Sequence, residues 1–206
     1  MGQHHGYDIA VYNRPARMFH WWVALFVLIQ IPLGLYMLWR GDEMAGVNDK
    51  GEAVKGVFNG INDGGLTENL FGVHKLLGIT ILLLVLARLF YRLTRGAPAS
   101  DPTVPAALTG AGHLTHWLLY LLLIVVPIGG YIGTSYYGGL DVFGLHLPAV
   151  TGKDEKVAEW YFGLHAIGGK VILALVTLHV IGALYHKLVR KDRVVERMLP
   201  KKNRVV

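Results

Sequence analysis

Two histidines in one apolar segment carry the clearest chemical signal in this sequence. The segment spans residues 160–186, and within it LHAIG (164–168) and LHVIG (178–182) are near-copies of one pattern. Their histidines, His165 and His179, are 14 residues apart, close to four helical turns, so both imidazoles leave one face of a helix. They are separated by about 21 Å along the helix axis, which is most of a hydrocarbon core of roughly 30 Å. The segment therefore offers a nitrogen ligand near each membrane surface, and a glycine follows each histidine after three residues, where a larger side chain would block a flat cofactor.

The composition indicates a membrane protein. Of the 206 residues, 53% are hydrophobic, and the mean hydropathy is +0.41, which is too apolar for an ordinary soluble domain. The absence of cysteine excludes disulfides, iron–sulfur clusters and covalently attached c-type haem. Because the basic residues flank apolar segments instead of forming a soluble face, we expect no nucleic-acid binding.

Four apolar segments are each long enough to span a bilayer. They predict transmembrane helices over about residues 17–38, 70–93, 111–135 and 157–188. The expected fold class is therefore all-α, a polytopic membrane protein with a four-helix bundle in a single domain over residues 1–206. The connection from Tyr136 to Val157 is expected to be a loop. Because the N-terminal stretch lacks the apolar core of a signal peptide, the first helix is expected to be retained.

The charges of the connecting segments predict the orientation of the bundle. The N-terminal stretch, the link between the second and third helices and the C-terminal tail are basic. The two other connections are acidic, with three basic against six acidic residues in the first and two against four in the second. The positive-inside rule then places both termini in the cytoplasm and the acidic connections outside. We expect the protein in the inner membrane of a bacterial cell.

Two further histidines match the depths of the first two. In this orientation His165 lies near the outer surface and His179 near the inner one, while His20 begins the first helix inside and His74 begins the second outside. Depth therefore pairs His20 with His179 and His74 with His165. Two neutral imidazoles on opposite sides of an iron form a b-type haem suited to electron transfer, so the four histidines predict two haem b groups. A zinc site is a poorer interpretation, because each pair supplies only two of the four ligands that zinc usually takes.

Three other side chains are candidates for the same chemistry. Arg88 lies 14 residues after His74, at the depth of the inner pair, where it could bind a haem propionate, since an intramembrane arginine usually has a partner. His116 begins the third helix and His186 ends the fourth, both on the inner side, where they could contact a quinone carbonyl or carry its protons. The alternatives are snorkelling of the arginine and a simple interfacial position of the two histidines.

These features together resemble the prokaryotic cytochrome b561 family. The matching pieces are RMFHWW, a histidine followed by an arginine 14 residues on, GHLTHWLLYLLLIVVPIGG, histidines spaced by 14 and then 7 residues, and ERMLP near the C-terminus. The resemblance implies a four-helix bundle with two haem b groups, and His20, His74, His165 and His179 as ligands of the two irons. It also implies electron transfer between a donor and ubiquinone of a respiratory chain, and at least one branch of the family oxidises superoxide on the outer side.

Several functions remain open at this point. The first is an oxidoreductase that passes electrons to or from ubiquinone, with superoxide or a redox protein as the outer donor. The acidic outer connections depart from this expectation, because a negative surface would repel an anion such as superoxide. The second is a cytochrome b membrane-anchor subunit that relays electrons between the quinone pool and a dehydrogenase, a hydrogenase or a cytochrome c. The third is a transporter whose histidines carry protons or metal. In every case membrane lipid is a partner.

Overall fold

Four long helices dominate the computed structural model, which describes residues 10–43, 46–47, 53–54 and 66–199. They are α1 (Arg14–Glu43), α2 (Leu66–Arg95), α3 (Ala106–Tyr136) and α4 (Glu155–Leu184). All four are long and apolar enough to cross a membrane, which confirms the predicted all-α membrane fold. Each helix begins earlier than predicted, because helical backbone continues into polar turns that an apolar count omits. The predicted single domain also includes residues outside the described ranges.

The helices pack mainly in two pairs, α1 with α2 and α3 with α4. A small buried cluster joins α1, α2 and α3; its members are Val23, Val27, Ile81, Val85 and Tyr120. Most other large apolar side chains of the helices point outward, and Leu83 and Phe90 of α2 are more than half exposed. An apolar outer surface is what contact with lipid requires, because hydrocarbon replaces water around it.

Both long connections contain a short antiparallel hairpin. The first is formed by β1 (Gly46–Val47) and β2 (Ala53–Val54), and three of the six acidic residues of that connection, Asp49, Glu52 and Asp63, lie outside the described residues. The second is formed by β3 (Gly139–Val142) and β4 (Leu145–Pro148). The expectation of a plain loop between α3 and α4 was therefore wrong.

The β3–β4 hairpin follows from its local sequence. Leu140 and Val142 are buried while Asp141 between them is exposed, which is the two-residue period of a strand. Phe143 and Gly144 form the two-residue turn and both have positive φ, 46° and 83°, as type I′ hairpin turns require. Glycine adopts this backbone without strain, whereas phenylalanine does so rarely. We call this end of the bundle the hairpin end.

The opposite end, which we call the tail end, is closed by the C-terminal segment. The fourth helix continues as a six-residue π-helical segment, Tyr185–Arg190, and stops at Lys191, whose φ of 54° is left-handed. The chain then folds back beneath the bundle. The Trp21 indole nitrogen donates to the carbonyl of Met198 at 2.9 Å.

Arg197 fixes this returning segment. Its guanidinium is buried and donates to the carbonyls of Ala10, Pro98 and Ala99. These acceptors belong to the N-terminal stretch and to the link between α2 and α3. One side chain thus joins the three basic segments of the chain at the tail end.

Candidate functional site

The hairpin-end pair consists of His74 on α2 and His165 on α4. Their ring centroids are 5.8 Å apart, and the ring planes are inclined by 72°. Nδ1 of His165 donates to the backbone carbonyl of Val126 at 2.9 Å, which leaves its Nε2 with a lone pair. Nδ1 of His74 is buried and has no hydrogen-bond partner among the described residues. Both rings therefore retain a nitrogen that protein atoms do not satisfy.

Helix α1 holds the hairpin-end pair from the side. The amide nitrogen of Gln30 donates to the backbone carbonyl of His74 at 2.9 Å. Gly34 lies beside the His74 ring, since a Cβ at that position would be 3.5 Å from its Cε1. The absence of a side chain at Gly34 thus lets α1 lie close to the ring of His74. Gln30 was missed in the sequence, although an amide in an apolar run was a usable signal.

The glycine that follows His165 has a different role from the one predicted. A Cβ at Gly168 would clash with the side chain of Val126, so this glycine allows α4 to approach α3. A Cβ built at Gly182 would have no described atom within 4 Å. Helical spacing placed these glycines near the histidine face, but Gly168 is turned far enough to meet the neighbouring helix.

The tail-end pair consists of His20 on α1 and His179 on α4. Their ring centroids are 6.1 Å apart, with ring planes inclined by 75°. Arg88 of α2 lies within 2.7 Å of His20 Nδ1 through Nη1, and its Nε donates to the hydroxyl of Tyr120 at 2.8 Å. Because arginine only donates, Nδ1 of His20 must be the acceptor here. Ligation of a metal through Nε2 would put the hydrogen on Nδ1, so Arg88 would then turn to another acceptor.

A third imidazole lies beside the tail-end pair. The ring centroid of His116 is 5.2 Å from that of His179. Even so, the described part of the chain contains no group of three or more His, Cys, Asp or Glu side chains placed to hold a metal ion. A zinc site made of protein ligands alone therefore finds no support in these residues.

His186 is separate from this cluster. Its Nδ1 lies 2.6 Å from Oδ2 of Asp192, and Arg190 donates to the same oxygen at 2.9 Å. Arg190 also donates to the carbonyl of Thr103, which ties the group to the link between α2 and α3. Among the described residues, no hydrogen bond or ring contact joins His186 to His116.

The electrostatics of Asp192 favour its ionised form. Burial alone raises the pKa of this carboxyl group, since only 8% of the side chain is exposed. The hydrogen bonds from His186, from the Val194 backbone N–H and from Arg190 outweigh burial and hold the pKa below its usual value. The carboxylate therefore fixes the orientation of the His186 ring as a charged acceptor.

The remaining histidines make other contacts. Nε2 of His113 is 3.4 Å from the hydroxyl of Ser100, and His146 forms an exposed pair with Asp141 on the β3–β4 hairpin. The two histidines of the N-terminal stretch lie outside the described residues. Both pairs that depth selected are brought together, and Arg88 and His116 lie at the tail-end pair.

The spacing within the two pairs would suit two imidazoles that hold one metal ion between them. A metal with bonds of about 2.0 Å to the facing nitrogens of two imidazoles separates the ring centroids by about 6 Å. The separations in the structure are 5.8 and 6.1 Å. The unsatisfied Nδ1 of His74 and the absence of cysteine are consistent with a neutral bis-imidazole site, the ligand set of a low-spin haem.

Comparison with known proteins identifies relatives that are at least 30% identical to part of this chain. Probable superoxide oxidase CybB of Yersinia pestis is 33% identical over 132 residues, or 63% of this chain and 74% of that protein. Cytochrome b562 of Cereibacter sphaeroides is 30% identical over 127 residues, or 62% and 66% of the two chains. Cytochrome b561 homolog 2 of Escherichia coli is 30% identical over 131 residues, or 63% and 70%.

A family model described as Prokaryotic cytochrome b561 matches residues 11–201, nearly the whole chain. That match, the four membrane-spanning helices and the named relatives agree on a multi-pass membrane protein of the b-type cytochromes, with haem b as cofactor and electron transfer as its function. The chain therefore belongs to the prokaryotic cytochrome b561 family.

Proposed function

We propose that the chain holds two haem b groups, one between His20 and His179 and one between His74 and His165. The observation that carries the proposal is the pairing itself, in which α4 supplies one histidine to each pair and α1 or α2 supplies the other. When bound, haem supplies a one-electron redox centre. The protein supplies the ligands and, through the 14-residue spacing on α4, two centres at opposite membrane depths.

Arg88 is proposed as a propionate ligand at the tail end. Its guanidinium already reaches the tail-end pair, since Nη1 lies 2.7 Å from Nδ1 of His20. If His20 binds iron through Nε2, this contact places two N–H groups against each other. A carboxylate is the acceptor that an arginine in that position requires, because its planar fork can bind both oxygens. Tyr120 would keep the guanidinium in place through its hydroxyl.

The tail end is proposed to face the cytoplasm of a bacterial cell and the hairpin end the outside, in the inner membrane. The N-terminal stretch, the α2–α3 link and the C-terminal tail are all basic, and the positive-inside rule orients them inward. The structure supports this grouping, because Arg197 bonds the first two segments to the third. A reporter fused after Val206 should then be active in the cytoplasm.

Ubiquinone is proposed as the electron acceptor, bound near the tail-end pair. Its reduction takes up two electrons and two protons, so the site needs side chains that exchange protons near neutral pH, and histidine suits this best. Asp192 accepts from Nδ1 of His186 and leaves Nε2 to exchange a proton with a bound quinone. His116 beside His179 is the second candidate contact. His186→Ala should keep both haems and their reduction by a donor, but slow their reoxidation by quinone.

Superoxide is proposed as the electron donor on the outer side. Two superoxide ions would each give up one electron and leave as dioxygen, which supplies the two electrons that one quinone takes. The support is the name of one relative, a probable superoxide oxidase, together with its 33% identity to this chain. An isolated-protein assay with superoxide and ubiquinone tests this pair directly, and the absence of quinone reduction there would contradict it.

A redox protein is the second candidate donor, and one observation favours it. Exposed carboxylates outnumber exposed lysines at the hairpin end. Asp141 on β3 and Asp154, Glu155 and Glu159 around the start of α4 stand against Lys153 and Lys156. Such a surface would attract a basic protein and would repel superoxide. If superoxide fails in the assay, reduction by a basic cytochrome that weakens steeply with salt would establish this alternative.

Haem quantification tests the central proposal. The unmodified protein should contain two haem b groups per chain by the pyridine haemochromogen method. His20→Ala or His179→Ala should each remove the tail-end haem, and His74→Ala or His165→Ala the hairpin-end haem. His113→Ala is the matched control, because this histidine belongs to neither pair. One haem in the unmodified protein, or two in His165→Ala, would contradict the assignment.

A further inference from the structure

We infer that Gly130 of α3 is a positioning residue for His165, because only a residue without a Cβ lets the imidazole reach the backbone acceptor that orients it. The inference rests on the proposed role of His165 as an axial ligand. Gly130 itself would touch no cofactor; it would act through the direction in which the His165 ring points.

The contact between Gly130 and His165 is unusually close. A Cβ built at Gly130 would lie 2.9 Å from Nδ1 of His165 and 3.0 Å from its Cε1, and its three nearest atoms all belong to this ring. Real Cβ atoms essentially never come within 3.0 Å of a heavy atom in this way. An alanine at this position would therefore displace the imidazole, since the ring is the movable partner and α3 is a helix.

The displaced ring would lose a specific hydrogen bond. Nδ1 of His165 donates to the carbonyl of Val126 at 2.9 Å. Val126 is four residues before Gly130, so its carbonyl lies one turn away on the same face of α3. A backbone carbonyl at Nδ1 fixes the tautomer and rotation of a metal-binding histidine and raises its basicity. Gly130 thus provides the gap through which the histidine is held by the backbone of another helix.

Neighbouring glycines provide controls that separate this effect from helix packing. Gly129 has no described atom within 4 Å of its Cβ position, so Gly129→Ala changes the helix propensity equally and contacts nothing. A Cβ at Gly133 would lie 2.8 Å from the side chain of Phe162, so Gly133→Ala disturbs the contact between α3 and α4 without meeting the His165 ring or Val126. A general loosening of the two helices would appear in Gly133→Ala as well.

The test compares the haem-loaded variants by redox titration and by electron paramagnetic resonance of the ferric haems. Weakening the Nδ1 hydrogen bond lowers the basicity of the ligand and disfavours the ferric state. We expect Gly130→Ala to shift the oxidation equilibrium of the hairpin-end haem about tenfold toward the ferrous state, which for one electron is about 59 mV upward. The ferric signal of that haem should shift with it. The tail-end haem and both haems of Gly129→Ala should be unchanged.

Other results would overturn the inference. Unchanged potentials and signals in Gly130→Ala would do so, and so would an equal shift of both haems or the same shift in Gly133→Ala. If Gly130→Ala does not accumulate, His165→Gly provides the second test, because removal of the ring removes the clash. The double variant with His165→Gly and Gly130→Ala should then accumulate, and it should retain the tail-end haem to the same extent as His165→Gly alone. A double variant that does not accumulate counts against the inference.

The same variants distinguish failure of this inference from failure of the proposed haem ligation by His165. If His165→Ala retains two haems per chain, the ligand assignment fails and Gly130 has no ligand to position. If His165→Ala loses one haem while Gly130→Ala matches the unmodified protein in potential and in ferric signal, the ligand assignment stands and only the role of Gly130 is wrong.

Discussion

The two ends of the bundle hold their histidine pairs by different means. At the tail end, the charged guanidinium of Arg88 contacts His20, and a third imidazole, His116, lies against His179. At the hairpin end, within the described residues, no charged side chain forms a hydrogen bond or ion pair with His74 or His165. A backbone carbonyl, an amide side chain and two glycines shape that end instead.

The difference bears on the direction of electron flow. A fixed positive charge beside a redox centre stabilises its reduced form, because reduction adds a negative charge. The tail-end haem should therefore have the higher midpoint potential of the two. Electrons that enter at the hairpin end would then move downhill toward the tail end, where quinone reduction is proposed.

The largest effect on stability is expected from Arg197, which closes the tail end. Its buried guanidinium donates to three carbonyls, and each hydrogen bond to a charged group is worth about 1.5 to 3 kcal/mol, without simple additivity. Arg197→Ala should lower the free energy of unfolding by about 2 to 4 kcal/mol. Arg193→Ala is the control, since its side chain is 58% exposed and a surface pair contributes about 0 to 1 kcal/mol.

Thermal unfolding in detergent, followed by haem absorbance, measures both variants. The tail-end haem should be released first in Arg197→Ala, because the segment that it anchors lies beneath that end. Equal melting temperatures for Arg197→Ala and Arg193→Ala would show that the returning segment does not hold the bundle closed.

Asp192 gives the tail end a dependence on pH. Its folded-state pKa is held below the usual value of about 3.9, so its contribution is fully present above that pH and is lost as the pH falls through the folded-state pKa. Asp192→Asn should cost about 1.5 to 3 kcal/mol at neutral pH, because it removes a charged acceptor for His186 and Arg190. The difference from the unmodified protein should shrink in acid. A difference in melting temperature that persists unchanged below pH 3 would contradict this origin.

Arg88 tests the electrostatic side of the contrast directly. Two unit charges about 8 Å apart interact by about 2 kcal/mol at an effective dielectric constant of ~20, which is about 90 mV for one electron. Arg88→Gln should thus lower the midpoint potential of the tail-end haem by about 40 to 90 mV and leave the other unchanged. Arg92→Gln, one turn away with its guanidinium 5.5 Å from the Trp117 ring, should change the potential less.

Redox titration of both haems in the unmodified protein, in Arg88→Gln and in Arg92→Gln measures these shifts in midpoint potential. A fall in both potentials by the same amount would mean that Arg88 acts on the whole bundle, and no fall at all would remove the electrostatic reason for a higher potential at the tail end.

The sequence was sufficient for the features that depend on helix length and on depth in the membrane. The helices follow from the length of the apolar runs, and the pairing of His20 with His179 and His74 with His165 follows from helical rise and membrane thickness. Both are properties of local sequence and of a fixed bilayer, so no tertiary information was needed. Ligation by these residues stays a prediction.

Features that depend on which residues face each other in the folded chain could not be predicted. The carbonyls that Arg197 binds are between 98 and 187 residues away in sequence, and nothing local marks them as its acceptors. Gly168 was assigned to the cofactor face but packs against α3, because a rotation of a few tens of degrees about the helix axis decides between the two. The β3–β4 hairpin had a local signal, the alternation of apolar and polar residues around Asp141, which the length of apolar runs does not reveal.

The smallest effect is expected where the hairpin touches α2. A Cβ at Gly72 would lie 2.8 Å from Cζ of Phe143, but that ring is exposed and stands at the tip of the hairpin, so it can move aside at little cost. Replacing glycine by alanine inside a helix gains up to about 1 kcal/mol. Gly163→Ala on α4, with no described atom within 4 Å, should show this gain, whereas in Gly72→Ala the displaced ring should cancel it. If unfolding experiments show the same gain in both variants, Phe143 does not fasten the hairpin to α2, and the hairpin end is held by the helices alone.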